Sequence, residues 1–181
     1  GRARTHRLVR KSSVVKVSVP ASSANLGPGF DTLGMALDLP FILSSEFEEG
    51  LLAAESRHPA SVAFETAGGV GPLWWRSPIP PGRGLGFSGA ARVAGALLGC
   101  LHAGASVDDA RTQALEIACR LEHHPDSASA AMLGGVVAAT DGVAVRIPMA
   151  LDVSVVVWWP DSETSTNRSR AALPDAVELA D

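Results

Sequence analysis

This 181-residue sequence lacks cysteine-rich motifs, long apolar runs and targeting signals. Its two cysteines, Cys100 and Cys119, lie in apolar helical patterns without the C-x-x-C or histidine spacing of a zinc site, so we expect buried free thiols. No apolar run approaches the roughly 20 residues that a membrane span needs, and no signal-peptide pattern occurs. The sequence therefore predicts a cytoplasmic protein with no membrane partner.

An excess of positive charge is also missing. The formal net charge of −4 at pH 7 argues against a nucleic-acid partner. The one basic cluster lies at the extreme N-terminus, and we predict a frayed tail over residues 1–13. Its members are Arg2, Arg4, Arg7, Arg10 and Lys11. A hydrophobic content of 46% and a charged content of 19% fit one domain with a sizeable core, or the larger part of a two-domain enzyme.

The first half of the chain reads mainly as strands and loops. A β-branched pattern predicts a strand over 14–19 that Pro20 ends, followed by a loop over 20–31. The apolar pattern resumes over 32–47, broken by Pro40, and we expect 51–55 to pair with it as a hairpin or meander. Residues 56–83 give little regular signal apart from a short strand in 72–77.

The second half predicts helices and then strands. An apolar run over 88–103, with Arg92 as its only charge, indicates a helix buried on most sides. A second helix follows, with Ser106 as its N-cap, and ends before Pro125. A short helix over 128–135 precedes strands over 136–140, 143–147 and 153–159, with a turn at Asp141–Gly142. Four tryptophans favour core or inter-domain packing over an adenine-stacking site: Trp74, Trp75, Trp158 and Trp159.

The glycine loop, residues 82–86, opens the first long helix. Gly84, Gly86 and Gly89 match G-x-G-x-x-G, the pattern of a dinucleotide-binding turn. That interpretation fails, because no strand precedes the loop and no strand ends in an acidic residue about 20 positions later. A Walker A loop fails as well, since no lysine follows the glycines. Backbone N–H groups and the positive end of the helix still favour a phosphate chain, with tight packing as the alternative role of the glycines.

Two further motifs accompany this loop. The stretches "VPASSANLGPGFDTLGMAL", "PPGRGLGFSGAA" and "LEHHPDSASAAMLGG" occur in the order and near the spacing of the GHMP family of small-molecule kinases. The first motif most closely resembles that of the homoserine kinases in this family, as does the segment "WWPDSETSTNRSRAALP". The resemblance implies an α+β fold, the N-terminal domain of GHMP kinases (ribosomal protein S5 domain 2-like), with a mixed sheet and helices packed on one side. It implies that this domain covers 14–150 and that 151–181 begin a second domain.

The resemblance also implies an activity and its residues. It predicts an ATP- and Mg²⁺-dependent phosphotransferase that acts on the side-chain hydroxyl of homoserine. The ATP phosphates would be bound by Pro81, Gly82, Arg83, Gly84, Leu85, Gly86, Phe87, Ser88, Gly89, Ala90 and Ala91. Ser88 and Glu122 would hold the metal. The amino-acid substrate would meet Asn25, Asp31, His124, Asp126, Thr166 and Arg170, of which Asn25, Asp31 and Arg170 form the catalytic group. We favour substrate binding over general-base catalysis for Asp31, and the resemblance implies a homodimer.

The match has gaps that keep other interpretations open. Phe87 stands where the family usually has a serine, and Ser127 replaces the asparagine of its third motif. The second glycine-rich motif of the family is missing, so we expect little or no kinase activity from the 181 residues alone. The alternatives are a GHMP kinase for another small alcohol and a degenerate protein of this fold that binds without turnover.

Overall fold

The computed structural model describes residues 16–123, 125–140, 143–150 and 154–159. Within them the chain forms six strands and four helices. The strands are β1 (Lys16–Leu26), β2 (Gly29–Ser44), β3 (Leu52–Ala53), β4 (Trp74–Arg76), β5 (Val136–Thr140) and β6 (Val143–Ile147). The helices are α1 (Pro59–Thr66), α2 (Phe87–His102), α3 (Val107–Glu122) and α4 (Asp126–Leu133). The predicted tail over 1–13 and the predicted turn at Asp141–Gly142 lie outside the described residues.

The long strand β2 organises the sheet. β1 pairs with one edge of β2 from Lys16 opposite Ser44 to Leu26 opposite Gly29. The other edge is shared, since β4 pairs with its C-terminal part and β5 with its N-terminal part. β3 then pairs with β4, and β6 with β5. The α+β class is confirmed, and every pairing between described strands is antiparallel, so no parallel pair of the predicted mixed sheet lies among them.

Two prolines are accommodated inside strands. The expectation that Pro20 ends the first strand is wrong, because β1 continues to Leu26, and β2 likewise runs through Pro40. The two prolines lie opposite each other, beside a register shift between Pro20 and Ala21. Among the described strands β1 pairs only with β2, and edge strands and bulges are where a proline can lack its donor without breaking a ladder. The predicted loop over 20–31 is therefore mostly strand.

Three other sequence expectations need correction. Residues 59–66, in a stretch with little signal, form α1, which His58 caps and Pro59 begins. Residues 52–53 pair with β4, not with β2. Residues 154–159 form no strand, because a strand needs a hydrogen-bonded neighbour and this segment pairs with none of the described strands. Val156 and Trp158 are accordingly exposed.

The core lies between one face of the sheet and the helices. Along β2, Leu37, Phe41 and Leu43 are buried while Asp38 and Pro40 are exposed, as expected for a sheet covered on one face. The predicted helices α2, α3 and α4 are confirmed, as are β4, β5 and β6. The hydroxyl of Ser106 accepts a hydrogen bond from the N–H of Asp109 and caps α3 as predicted.

Both cysteines are free. Cys100 is buried and Cys119 is half-buried, and burial raises the pKa of both thiols. Searching the described part of the chain finds no helix with the length and apolar character to cross a membrane.

Candidate functional site

The glycine loop has a backbone that few residues other than glycine adopt. Gly82, Gly84 and Gly86 have φ values of 68°, 73° and 67°, all in the left-handed region. Gly86 is the N-cap of α2, and no side chain caps this end of the helix. The first turn of α2 therefore offers its backbone donors and its positive dipole end to an anion.

Glycine is needed at positions 84 and 86 for two different structural reasons. A Cβ on Gly86 would lie 2.1 Å from the Oγ of Ser22, and the N–H of Ser22 donates to the carbonyl of Leu85 at 3.2 Å. A Cβ on Gly84 would meet nothing within 4 Å. Tight packing thus accounts for Gly86, where the loop rests on β1, but not for Gly84, whose positive φ is its only requirement.

The two predicted metal ligands lie together at the start of α2. The Oγ of Ser88 donates to Oε1 of Glu122 at 2.7 Å, and Nη1 of Arg92 forms an ion pair with the same oxygen. The side chain of Glu122 is only 10% exposed and that of Arg92 25%. Among the described residues, no three His, Cys, Asp or Glu side chains form a metal-binding group. The predicted metal site therefore offers one carboxylate and one hydroxyl from the described residues.

Helix α4 begins beside the same helix end. A Cβ on Gly34 of β2 would lie 2.6 Å from the carbonyl oxygen of Asp126, and one on Gly89 of α2 would lie 3.3 Å from the Cβ of Ser127. Asp126 is 1% exposed, and its Oδ1 accepts from the N–H of Ser127 at 2.7 Å. The structure thus brings the third motif against the glycine-loop helix, with the Asp126 carboxylate at the positive end of α4.

The first motif forms the tip of the β1–β2 hairpin. Asn25 and Asp31 have φ values of 57° and 54°, a region that Asn and Asp tolerate better than most residues. The N–H of Asp31 donates to Oδ1 of Asn25 at 2.8 Å, so the two residues lie together. Asn25 is three residues beyond Ser22, about 10 Å along an extended strand. The hairpin tip and the glycine loop are therefore on the same part of β1, and the binding roles of Asn25 and Asp31 stay predictions.

Several residues predicted to bind the ATP phosphates are buried and do not face solvent. Ala90 and Ala91 are fully buried, and the N–H of Ala90 donates to the carbonyl of Gly86. Leu85 is buried, whereas Pro81 and Gly82 are exposed and Arg83 is half-buried. Three predicted substrate residues lie outside the described part of the chain: His124, Thr166 and Arg170.

Phe87, where the family usually has serine, packs away from the loop. Its ring lies edge-on to Trp75, Phe41 and His58, with centroid distances of 5.4, 5.6 and 5.9 Å. We call these four residues the aromatic box. Only the backbone of Phe87 is then left for the predicted phosphate contact. Trp75 packs against the core as predicted, whereas Trp158 and Trp159 are exposed among the described residues.

Two residues near the start of α2, His58 and Arg92, could not be assigned a role from the sequence. His58 stacks on Phe41 within the box. It also caps α1, since its Nδ1 accepts from the N–H of Ala60 at 3.2 Å. Burial lowers the pKa of His58, and the charge of Glu55 opposes this in part. Arg92, the lone charge in the apolar run of α2, is the second. Its spacing of four residues from Ser88, which puts both on one helix face, was the available signal.

Comparison with known proteins decides the family. The sequence profile of the GHMP kinases N terminal domain matches residues 52–135. The chain carries a GHMP kinase N-terminal domain. A homoserine kinase of Desulfitobacterium hafniense is 37% identical over 199 aligned positions, which cover 93% of this chain and 63% of that protein. One of Lactiplantibacillus plantarum is 38% identical, covering 92% of this chain and 62% of that protein.

The solved structures agree on the GHMP fold. The crystal structure of homoserine kinase from Cytophaga hutchinsonii superposes with a TM-score of 0.64 at 23% identity, covering 98% of this chain and 64% of that one. At this identity the likeness shows the fold alone. The chain spans less than two thirds of the length of these relatives.

Proposed function

We propose that this GHMP domain is the nucleotide-binding part of a kinase that transfers the γ-phosphate of ATP to the side-chain hydroxyl of L-homoserine. The observation that carries the proposal is one corner of the fold. There the uncapped start of α2, the left-handed glycines before it and the Ser88–Glu122 pair lie together. Phosphoryl transfer asks a protein mainly for positioning and for neutralisation of charge, and this corner offers both.

The residues of the corner fit a nucleotide with Mg²⁺. The open space around Gly84 leaves room for phosphate oxygens beside the backbone. Ser88 and Glu122 offer hard oxygen donors 2.7 Å apart, the ligand type that Mg²⁺ takes in proteins while keeping several waters and phosphate oxygens. These two side chains would hold the metal, which would neutralise phosphate charge when bound. Ser88 and the backbone of the glycine loop would orient the nucleotide.

The substrate side of the proposal relies on the hairpin tip. Asn25 lies about 10 Å along β1 from the glycine-loop contact at Ser22, and Asp31, near the start of β2, donates its N–H to the side chain of Asn25. The Asp31 carboxylate suits a substrate ammonium group, and the predicted Arg170 suits a carboxylate through a bidentate contact. Homoserine carries both groups and the hydroxyl. The first motif and the names of the relatives support this substrate over other alcohols.

The experiment is release of ADP by the protein expressed from the complete gene, with homoserine, mevalonate and shikimate as acceptors. We expect turnover with homoserine alone, and the 181-residue chain measured beside it should show little or none. Turnover with a control alcohol and none with homoserine would contradict the substrate. ATP binding without turnover on any acceptor would favour the degenerate binding protein.

A further inference from the structure

Glu122 is a mostly buried carboxylate in an unfavourable place. It is the last residue of α3, where the partial negative charge of the helix end opposes a carboxylate. With a side chain only 10% exposed, it needs a compensating cation. Arg92 supplies that cation, and Ser88 adds a neutral hydrogen bond to the same oxygen.

Packing does not explain why Arg92 occupies its position. Its neighbours in α2, Ala91 and Val93, are fully buried, and the helix from Gly89 to Leu101 contains only small and aliphatic residues besides Arg92. The Nε of Arg92 is buried and has no hydrogen-bond partner among the described residues. Burying a donor without a partner costs free energy, so the reason for an arginine here is its charge beside Glu122.

Ser88 and Arg92 lie one helical turn apart and bind the same oxygen of Glu122. A metal ion held by Ser88 and Glu122 would meet the guanidinium at that oxygen. Two cations would then compete for one carboxylate, and their mutual repulsion would weaken whichever arrives second.

We propose that Arg92 is the resident counter-ion of Glu122 and that it yields this oxygen to the divalent cation that accompanies the nucleotide. This inference rests on the proposed function, because it concerns the same site. Arg92 then sets how much metal the site needs. Before the metal binds, Arg92 also cancels the negative charge of Glu122 beside the start of α2, so the carboxylate does not repel the nucleotide phosphates.

The two effects of removing Arg92 have opposite signs. Without the guanidinium, Glu122 is available, so the divalent cation binds more tightly. Without its charge, nucleotide binds more weakly when no metal is present. A residue that only stabilised the helix would weaken both, so the opposite signs separate a positioning role from a structural one.

The test uses Mn²⁺, whose free form is counted by its paramagnetic resonance signal, and ADP, whose binding is measured by calorimetry with and without the metal. The full chain is compared with Arg92→Met, Arg92→Gln and Arg92→Lys. We expect Arg92→Met to lower the Mn²⁺ concentration for half-saturation with ADP by about tenfold, a change comparable in size, though opposite in sign, to those caused by removing groups that support metal ligands. Metal-free ADP affinity should fall, and Arg92→Lys should stay near the wild type. Arg92→Gln keeps a donor without the charge and serves the same purpose if Arg92→Met does not fold.

Glu122→Gln provides the coupling control. It should weaken Mn²⁺ binding by itself, and adding Arg92→Met to it should change nothing further if Arg92 acts through Glu122. Unchanged or weaker Mn²⁺ binding in Arg92→Met, with native thermal unfolding, would overturn the inference while leaving the kinase proposal intact. A wild type that binds neither ADP nor Mn²⁺ would overturn both.

Discussion

The two halves of the candidate site are built in different ways. The glycine-loop half rests on the core, because Gly86 lies against Ser22 and Phe87 anchors the start of α2 in the aromatic box. The hairpin half projects from the sheet. At its tip the N–H of Asp31 donates to Oδ1 of Asn25, and both residues have positive φ.

This difference teaches where function and stability are coupled. Changes at the glycine loop should reach the whole fold, since its residues also close the core. Changes at the hairpin tip should alter ligand contacts with little effect on stability, because Asn25 is exposed and its partner is local. Four substitutions can break or sharpen this contrast.

Gly86→Ala should have the largest effect. The new methyl group would meet Ser22 at 2.1 Å and would also require a left-handed alanine. We expect a loss of about 3 kcal/mol in the free energy of unfolding, measured by urea denaturation. The matched control is Gly84→Ala, which has a similar positive φ and open space around it, and which should cost only about 1 kcal/mol. Equal losses would show that the contact with β1 is unimportant.

Phe87→Ala should come next. The ring is half-buried and contacts three other rings, so its removal should cost about 2 kcal/mol, less than for a fully buried phenylalanine. Because Phe87 is the first residue of α2, ADP affinity should fall together with stability. Phe87→Leu, which retains apolar volume, should recover most of both. A stability loss with ADP affinity intact would mean that the box does not position the helix start.

The sequence predicted most of this corner because its signals are local. The periodicity of α2 and α3 and the cap at Ser106 follow from neighbouring residues, whereas the roles of Ser88 and Glu122, which are 34 residues apart, were implied only by the resemblance to the GHMP kinases. The extension of β1 past Pro20 could not be predicted the same way, since it depends on Pro40 lying opposite it and on β1 being paired on one side only. Tertiary pairing here overrides the local preference of proline.

Phe87 illustrates the same limit at the site. Its position in the motif was visible in the sequence, but the direction of its ring was not, because Phe41 and Trp75 come from β2 and β4. His58 and Arg92 were missed for the related reason that their partners are distant in sequence or on another helix.

Asp31→Asn tests the hairpin half, with a smaller effect on the fold. Asn tolerates positive φ, and the hydrogen bond from the backbone N–H to Asn25 does not need the carboxylate. We therefore expect stability within about 0.5 kcal/mol of the wild type. If the carboxylate binds the substrate ammonium group as proposed, the KM for homoserine should rise by at least about tenfold, since a charged hydrogen-bond partner is lost. The KM for ATP should stay constant. Asn25→Gly permits the same positive φ but removes the acceptor of the Asp31 N–H. Comparing the two variants separates the effect of the tip's geometry from the effect of the Asp31 charge.

His58 should give the smallest effect, and it ties the glycine-loop half to pH. Burial holds its pKa below the usual value of 6.5, while the charge of Glu55 opposes this shift in part. The unfolded chain therefore takes up the proton near pH 6.5 and the folded chain only at lower pH. Stability contributed by the neutral ring is complete above pH 6.5 and falls as the pH drops through the folded pKa.

Protonation of His58 would also remove the acceptor that caps α1, because Nδ1 receives the N–H of Ala60. Urea midpoints measured from pH 7.5 to 5.5 should therefore decline more in the wild type than in His58→Asn, which retains a good N-cap without the titrating ring. Other groups titrate in both proteins and cancel in the difference. Since His58 packs on Phe87 and not on the hairpin, ADP affinity should follow this decline, whereas a parallel change in homoserine affinity would mean that the two halves are coupled through the sheet.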